Sequence, residues 1–254
     1  MEIFATLTLN QLALFFGVGL LGGFIKGAVG FGMPTILIVG LGSFLSPQVA
    51  LAALILPAFI TNLPQAFWQG PKVTRDALRA HWVFVVVSLA GLAISAQFVM
   101  ALPERVFFLG LGCVVSAFAF VQLMGWQPQI GPNRKRVFEV FMAGTTGLFG
   151  GVSGMWAPTT VLYLTALNTP KDKAIAAQGV IYGFGALMLL VAHSQSGVLN
   201  DKTWPIAMAM LVPCFVGLGL GMWLSTRLDQ ARFRKLTLIV LVLAGVNLIR
   251  RGLF

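Results

Sequence analysis

Lys26 is the residue of this 254-residue chain that most directly suggests chemistry. It is the only ionisable residue in the middle of an apolar stretch, and it lies in the glycine-rich segment GGFIKGAVGFGMPT. A charge at membrane depth costs free energy and usually has a function. Two interpretations are open: the ammonium group holds an anionic substrate, or the side chain extends along the helix to reach water at the surface.

Two glycine-rich breaks, each followed by a proline, are the second chemical feature. Glycines after Lys26 favour irregular backbone, and Pro34 fits the first turn of a new helix. The second break covers residues 150–156, where Ser153 can donate a hydrogen bond, and its new helix is expected near Pro158. Helix starts carry unpaired N–H groups and partial positive charge, so two of them can bind an anion. The alternative is a kinked single helix with close packing at its glycines.

Polar side chains inside other apolar runs are further candidates for binding. Asn62 and Gln65 lie near the end of one predicted helix, and Gln178 and Tyr182 lie one turn apart on another. An amide in lipid needs a hydrogen-bond partner, which is either a neighbouring helix or the substrate. The candidate substrate-binding residues are Lys26, Gly27, Gly30, Gly32, Pro34, Thr35, Asn62, Gln65, Ser153, Gly154, Trp156, Thr159, Gln178 and Tyr182.

The remaining titratable residues lie at the edges of apolar runs. No carboxylate is placed for a proton relay at the midplane, so proton coupling would have to use the anion, Lys26 or an edge residue such as Glu139. His81 and His193 lie near span ends and are interpreted as bystanders. The apolar spans contain no acidic, histidine or cysteine cluster, so we expect no metal site, no cofactor and no enzyme activity.

Composition predicts the elements that must position these residues. Hydrophobic residues make up 58% of the chain and charged residues 9%, which is too few to cover the surface of a soluble domain. Eight uncharged runs, several of them close to the roughly 20 residues of one helical crossing, predict an all-α polytopic membrane protein. The net charge of +10 comes from short clusters between these runs, which indicates membrane loops and no nucleic-acid site.

The chain is predicted to be an internal duplication. A shift of 124 residues aligns Gly23, Gly27, Gly30, Pro34 and Thr35 with Gly147, Gly151, Gly154, Pro158 and Thr159. We expect a first repeat over residues 1–130, a second over residues 131–254, and a linker over residues 127–136. Each repeat would be a broken, re-entrant helical hairpin followed by three transmembrane helices.

Basic loop residues favour the hairpin over the kinked helix. With hairpins, twelve loop Lys and Arg residues share one face and four share the other, whereas full crossings divide them nine to seven. Only the first distribution obeys the positive-inside rule. Hairpins also give the two repeats inverted topology, the usual architecture of a secondary transporter with its substrate at the midplane. Both termini are then expected outside.

The segments GGFIKGAVGFGMPTI, PQVALAALILP and GTTGLFGGVSGMWAP, with the length and the duplicated plan, resemble the TauE/SafE sulfite exporter family of membrane permeases. The resemblance covers essentially the whole chain, and its glycine motifs are moderately specific. It implies a carrier of sulfite, sulfonates such as sulfoacetate, or related organosulfur acids in a bacterial or archaeal inner membrane. It transfers no residue-level site, so the assignments above rest on the physical argument.

The leading hypothesis is therefore a carrier whose partners are a small anion and the lipid bilayer. One alternative is a carrier of another solute, such as a metal or a neutral metabolite. Another is an intramembrane serine hydrolase, because GVSG resembles a protease serine loop; the predicted topology puts His193 at a membrane edge, too far from Ser153 to serve as its base. Glycines at 217, 219 and 221 fit either a homodimer contact or internal packing.

Overall fold

The computed structural model of the protein describes residues 7–67, 69–125, 130, 134–225 and 230–254, without the side chains of residues 171, 225 and 230–234. This part of the chain is all-helical, as the composition predicts. In chain order the helices are α1 (Leu9–Val29), α2 (Met33–Leu41), α3 (Pro47–Phe67), α4 (Pro71–Ala80), α5 (Trp82–Ala96), α6 (Glu104–Leu123), α7 (Lys135–Ser153), α8 (Ala157–Ala166), α9 (Lys171–Gln195), α10 (Trp204–Ser225) and α11 (Gln230–Leu253), with a 3-10 turn at Val99–Ala101.

Six helices of the described chain are long and apolar enough to cross a membrane: α1, α3, α6, α9, α10 and α11. The pair α4 and α5 is bent by 80° and forms a further, broken span if it is counted as one. The short apolar run at residues 236–249 lies within the 24-residue α11. Basic residues flank this run and can reach the interface, so a run too short by itself still belongs to a full-length helix.

The first opening segment reverses direction at its glycine break. A Cβ built on Gly40 of α2 would meet the side chain of Val18 in α1, and one on Gly22 would meet Leu37. Residue 18 therefore lies beside residue 40, and residue 22 beside residue 37, which is the pairing of an antiparallel hairpin. A kinked helix would continue away from α1 and could not form these contacts.

The second opening segment forms the same kind of hairpin from α7 and α8. The Thr146 hydroxyl donates to the Thr159 hydroxyl at 2.6 Å, and the Tyr163 hydroxyl donates to Glu139 at 3.2 Å. In one continuous helix these pairs would lie roughly 20 and 36 Å apart. The antiparallel hairpin is therefore confirmed for both segments and the kinked-helix alternative is wrong, while the return of each hairpin to its own side of the membrane stays a prediction.

The two arms of each hairpin differ in length, and the incoming arms are not half-helices. The incoming arms α1 and α7 have 21 and 19 residues, while the return arms α2 and α8 have 9 and 10. The second break is also narrower than predicted, because α7 continues through Gly150 and Gly151 to Ser153. Gly151 has a packing role within the helix: a Cβ there would lie 2.4 Å from the carbonyl oxygen of Leu92.

Two compact units divide the fold, and each contains helices from both halves of the sequence. Unit 1 comprises Met1–Pro57, Met100–Trp126 and Gly197–Phe254, and unit 2 comprises Ala58–Val99 and Gln127–Ser196. Within unit 1, α1 packs on α10 and α6 packs on α11; within unit 2, α7 packs on α5 and α9 packs on α4 and α5. The units are built from exchanged helices, since the opening helix of each sequence half pairs with a later helix of the other half.

Close backbone packing holds α1 to α10 in unit 1. A Cβ on Gly23 would lie 2.0 Å from the carbonyl oxygen of Cys214, and one on Gly27 would lie 2.2 Å from that of Leu218. Such distances leave room for a hydrogen atom only. Gly27, predicted as a substrate contact, therefore serves this helix pair.

The equivalent glycines of unit 2 have the same role. A Cβ on Gly147 would lie 2.3 Å from the carbonyl oxygen of Ser88, and Gly151 faces Leu92 in the same way. Positions that the 124-residue shift aligns thus make matching contacts in the two units, as a duplication predicts. The repeat boundary at residue 130 and the inverted relation stay predictions, and residues 127–129 and 131–133 of the predicted linker lie outside the described residues.

Candidate functional site

Gly30 and Gly154 end the two incoming arms in the same conformation. Both adopt left-handed backbone, with φ of 86° and 70°. Each donates its N–H to the carbonyl four residues earlier, on Lys26 or Gly150, at 2.7 Å. Glycine takes this conformation at little cost, so these positions terminate the helix and let the chain turn back. The return arms then begin with a proline in their first turn, as predicted.

The return arms are too short to cross a membrane. The return arms of 9 and 10 residues are about 14–15 Å long, roughly half the thickness of the hydrocarbon core. In unit 1 the far end of α2 is marked by Gly42, whose carbonyl accepts a hydrogen bond from the guanidinium of Arg251. In unit 2 α8 leads to the exposed residues Asp172 and Lys173. Charged groups belong at the surface, so we expect each break near half depth of the bilayer, and that depth stays a prediction.

Lys26 is buried beside the break of unit 1. Its side chain is only 5% exposed, so the interpretation that it reaches surface water is wrong. It lies one helical turn after Gly22, whose face of α1 contacts α2. The lysine therefore lies on the side of α1 that faces the return arm, one turn before Gly30.

The start of α2 presents backbone donors. Its N-cap residue, Gly32, provides no side-chain cap, and the N–H of Ile36 is the first that bonds back along the helix, to Gly32 at 3.1 Å. The N–H groups of Met33 and Thr35 precede that bond, and Pro34 has none. Helix starts of this kind favour negative charge.

An aromatic pair lies at the start of α8 in unit 2. The ring centroids of Trp156 and Tyr182 are 6.4 Å apart, and both residues are buried. The indole also packs beside Gly150 and Gly185. The hydroxyls of Tyr182 and of Thr160, one turn along α8, have no hydrogen-bond partner within the described residues. A buried hydroxyl without a partner costs about 1–3 kcal/mol. This cost makes both groups candidates to meet a ligand.

Ser153 and Thr159 already have partners within unit 2. The Ser153 hydroxyl donates to the carbonyl of Phe149 at 2.7 Å, and the Thr159 hydroxyl accepts from Thr146. Gly154 supplies the left-handed turn between them. These predicted site residues stabilise the break, and their contact with substrate stays a prediction.

The predicted amides all belong to unit 2. Asn62 is 2% exposed on α3, where its carbonyl faces Gly183 of α9. Gln65 lines a cavity of about 200 Å³ together with Thr74, and Gln178 lines a different cavity of about 330 Å³ near the end of α8. Their roles as substrate contacts stay predictions.

A polar cluster that the sequence did not reveal lies at the other end of the α7–α8 hairpin. Tyr163 donates to Glu139 Oε1 at 3.2 Å, His81 Nδ1 lies 2.9 Å from the Tyr163 oxygen, and Arg136 donates to Glu139 Oε2 at 2.9 Å. His81 therefore has a specific side-chain partner, and its interpretation as a functional bystander stays untested by this contact. Glu139 and Tyr163 follow His81 by 58 and 82 residues, so no local sequence motif could predict the cluster.

His193 lies closer to Ser153 than the sequence predicts. It is fully buried, and its Nε2 lies 2.8 Å from the carbonyl of Gly151, two residues from Ser153. Its Nδ1 is 3.0 Å from the hydroxyl of Ser196. Because Gly151 lies at the end of α7, the histidine satisfies a carbonyl that lacks a helical partner. Both of its nitrogens are occupied, so this geometry does not favour the serine hydrolase.

Comparison with known proteins supports the interpretation of the fold as a transporter. The family model described as "Sulfite exporter TauE/SafE" matches residues 15–248. A "Probable membrane transporter protein" of Xylella fastidiosa (strain Temecula1 / ATCC 700964) is 23% identical over 256 residues, covering 94% of this chain and 95% of its own length. No solved structure matches the chain.

Proposed function

Because the chain belongs to the TauE/SafE sulfite exporter family of multi-pass membrane transporters, we propose that it is a secondary carrier of a small sulfur-containing anion. Sulfite and short organosulfonates such as sulfoacetate are the proposed substrates. The proposed location is the cytoplasmic membrane of a bacterium or archaeon.

The burial of Lys26 carries this proposal. A buried ammonium group loses its hydration, and a bound oxyanion compensates that loss with a charge-assisted hydrogen bond. The uncapped start of α2 adds the N–H groups of Met33 and Thr35 in the same unit. Lysine together with a helix start is suited to a compact anion and unsuited to a metal cation.

In unit 2 we assign the hydroxyls of Tyr182 and Thr160 to the sulfonate oxygens and Trp156 to the organic part of the substrate. The two hydroxyls lack partners within the described residues, and an anion would provide acceptors for both. The indole offers an apolar wall beside them. Convergence of the two breaks on one anion, expected from inverted repeats, stays a prediction.

A ligand panel tests the substrate class. Sulfite and sulfoacetate are expected to raise the unfolding temperature of the detergent-solubilised protein, because a ligand bound by the native state adds about 2.7 kcal/mol of stability at 100 times its Kd. Chloride, a divalent metal and a neutral analogue of sulfoacetate serve as controls. Stabilisation by the metal or the neutral analogue, without stabilisation by any sulfur anion, would contradict the proposal.

Tyr182→Phe separates a binding role from a structural one. Loss of a hydrogen bond to a charged ligand corresponds to about 1.5–3 kcal/mol, so sulfonate affinity is expected to fall roughly 10- to 150-fold. The unfolding temperature without ligand should stay the same or rise, because the variant removes a buried hydroxyl that has no partner.

Ser194→Ala is the matched control on the same helix, since its exposed hydroxyl bonds only to the carbonyl of Leu190 among the described contacts. It should leave affinity unchanged. Unchanged affinity in Tyr182→Phe, measured by isothermal calorimetry or by the same thermal shift, would remove Tyr182 from the site.

A further inference from the structure

We propose that His81, Tyr163 and Glu139 of unit 2 form a proton relay that couples transport to the proton gradient. This inference rests on the proposed transport function and adds the coupling ion to it. The three residues come from the start of α5, from α8 and from α7.

The hydrogen bonds of the cluster have one consistent direction. Tyr163 donates its hydroxyl proton to Glu139 Oε1 at 3.2 Å. The Tyr163 oxygen is then an acceptor, so His81, 2.9 Å away, must donate to it through Nδ1–H. The result is an ordered chain from the imidazole to the carboxylate, with each proton already placed for transfer to the next oxygen.

The cluster runs from a half-buried residue to two buried ones. His81 is half-buried at the junction of α4 and α5, whereas Tyr163 and Glu139 are 1% and 5% exposed. Phe84 stacks on the tyrosine ring with centroids 4.3 Å apart and keeps that ring in place. A buried ionisable group in a membrane protein is costly, which makes this cluster a candidate for function.

The duplicated fold does not require polar groups at these positions. The 124-residue shift aligns Glu139 with Phe15 and Tyr163 with Val39, both fully or almost fully buried in unit 1. Ser88 faces Gly147 in the same way as Cys214 faces Gly23, so α5 corresponds to α10 with a shift of 126 residues. This shift aligns His81 with the buried Ala207. Apolar residues build the same architecture in unit 1, so packing alone does not explain the polar cluster of unit 2.

Basic groups surround the carboxylate on its own helix. Arg136 forms an ion pair with Glu139 at 2.9 Å, and its guanidinium lies over the ring of Trp82 at 5.4 Å. The neighbouring Lys135 adds a second positive charge near His81. On the packed helix α9, His193 is held by Gly151. The other charged side chains that the structure describes on α4 and α9 are exposed: Lys72, Arg75, Asp76, Arg79, Asp172 and Lys173.

The transfer conserves protons and charge. A proton from water binds His81 Nε2, the Nδ1 proton passes to the Tyr163 oxygen, and the tyrosine's own proton passes to Glu139 Oε1. His81 ends neutral with its proton on Nε2, Tyr163 is unchanged, and Glu139 becomes a neutral acid. Protonation removes the ion pair with Arg136 and so changes what holds the α7–α8 hairpin at this end.

Proteoliposomes loaded with a pH-sensitive dye test the relay. In the wild type, sulfite or sulfoacetate influx is expected to carry protons, and an imposed proton gradient to drive accumulation of the anion. In Glu139→Gln we expect the protons moved per anion, and the gradient-driven accumulation, to fall at least tenfold. Anion-induced thermal stabilisation of Glu139→Gln should persist, which shows a folded protein that still binds.

Tyr163→Phe and His81→Gln interrupt the relay without removing its acceptor, and both should lower the protons moved per anion at least fivefold. Glu104→Gln, at the exposed start of α6, is the matched control and should behave as the wild type. If Glu139→Gln does not fold, these two variants decide the test.

Three results would overturn the relay: wild-type anion transport without proton movement, an unchanged proton-to-anion ratio in the relay variants, or loss of anion binding in folded Glu139→Gln. The first two leave the anion carrier intact. Absence of any anion transport by the wild type would overturn both the carrier and the relay.

Discussion

Lys26→Met is expected to reduce sulfonate and sulfite uptake into proteoliposomes by one to two orders of magnitude. The variant keeps the length and the apolar stem of the side chain but removes the ammonium group that the account assigns to the anion. A charge-assisted hydrogen bond in a site of low polarity is among the strongest single contacts available to the substrate. Uptake of a radiolabelled anion, with protein incorporation measured in parallel, gives the result.

The same variant should not weaken the fold. Lys26 is 5% exposed, and replacing a buried charge with an apolar residue is often neutral or stabilising. Lys202→Met, in the exposed loop before α10, is the matched control and should transport as the wild type. Wild-type uptake by Lys26→Met would exclude the lysine from the mechanism.

Gly221→Ala is expected to destabilise the protein although it adds only one methyl group. That carbon would lie 2.1 Å from the carbonyl oxygen of Phe24 and 2.9 Å from the nitrogen of Ala28, so α1 and α10 must separate. Backbone atoms cannot rotate away as a side chain can, and overpacking of this kind costs about 1–3 kcal/mol or more. Thermal unfolding followed by size-exclusion fluorescence measures the loss.

Gly219→Ala is the control on the same helix, because no heavy atom lies within 4 Å of a Cβ there. It should be neutral or slightly stabilising, since alanine favours a helix over glycine by about 1 kcal/mol. Gly147→Ala and Gly144→Ala form the equivalent pair in unit 2. A larger loss of thermal stability in Gly219→Ala than in Gly221→Ala would contradict this explanation. It would indicate that the face of α10 that carries Gly219 contacts a second copy of the protein.

Local rules predicted the breaks. A left-handed turn selects glycine, and the first helical turn tolerates proline, so Gly30 and Pro34 determine where α1 ends and α2 begins. The burial of Lys26 was left open by the sequence, because a lysine near a helix end can also extend to surface water. Composition alone was sufficient for the helical membrane fold, because few charges cannot cover a soluble surface.

Contacts between distant segments could not be predicted in the same way. Gly151 looks like a helix breaker in the sequence, yet it stays helical because its face meets Leu92, 59 positions earlier. The sequence places His193 near a span end, but it does not show that the imidazole contacts a carbonyl of α7. Periodicity assigns a residue to a helix face but does not name the helix that covers that face.

The polar cluster of unit 2 shows the same limit for function. His81, Tyr163 and Glu139 lie on three helices, and the hairpin reversal is what brings α8 beside α7. A sequence argument could identify Glu139 as an acid near a span end. It could not show that the acid is buried or that a tyrosine connects it to a histidine.

The most direct test of the account is an experimental structure of the protein with a brominated organosulfonate, in which anomalous scattering locates the ligand. The account predicts a sulfonate oxygen within about 2.7–3.2 Å of Lys26 Nζ, at the start of α2, and no such peak in Lys26→Met. A ligand resolved elsewhere, with the Lys26 ammonium group beyond hydrogen-bonding distance of it, would contradict the account.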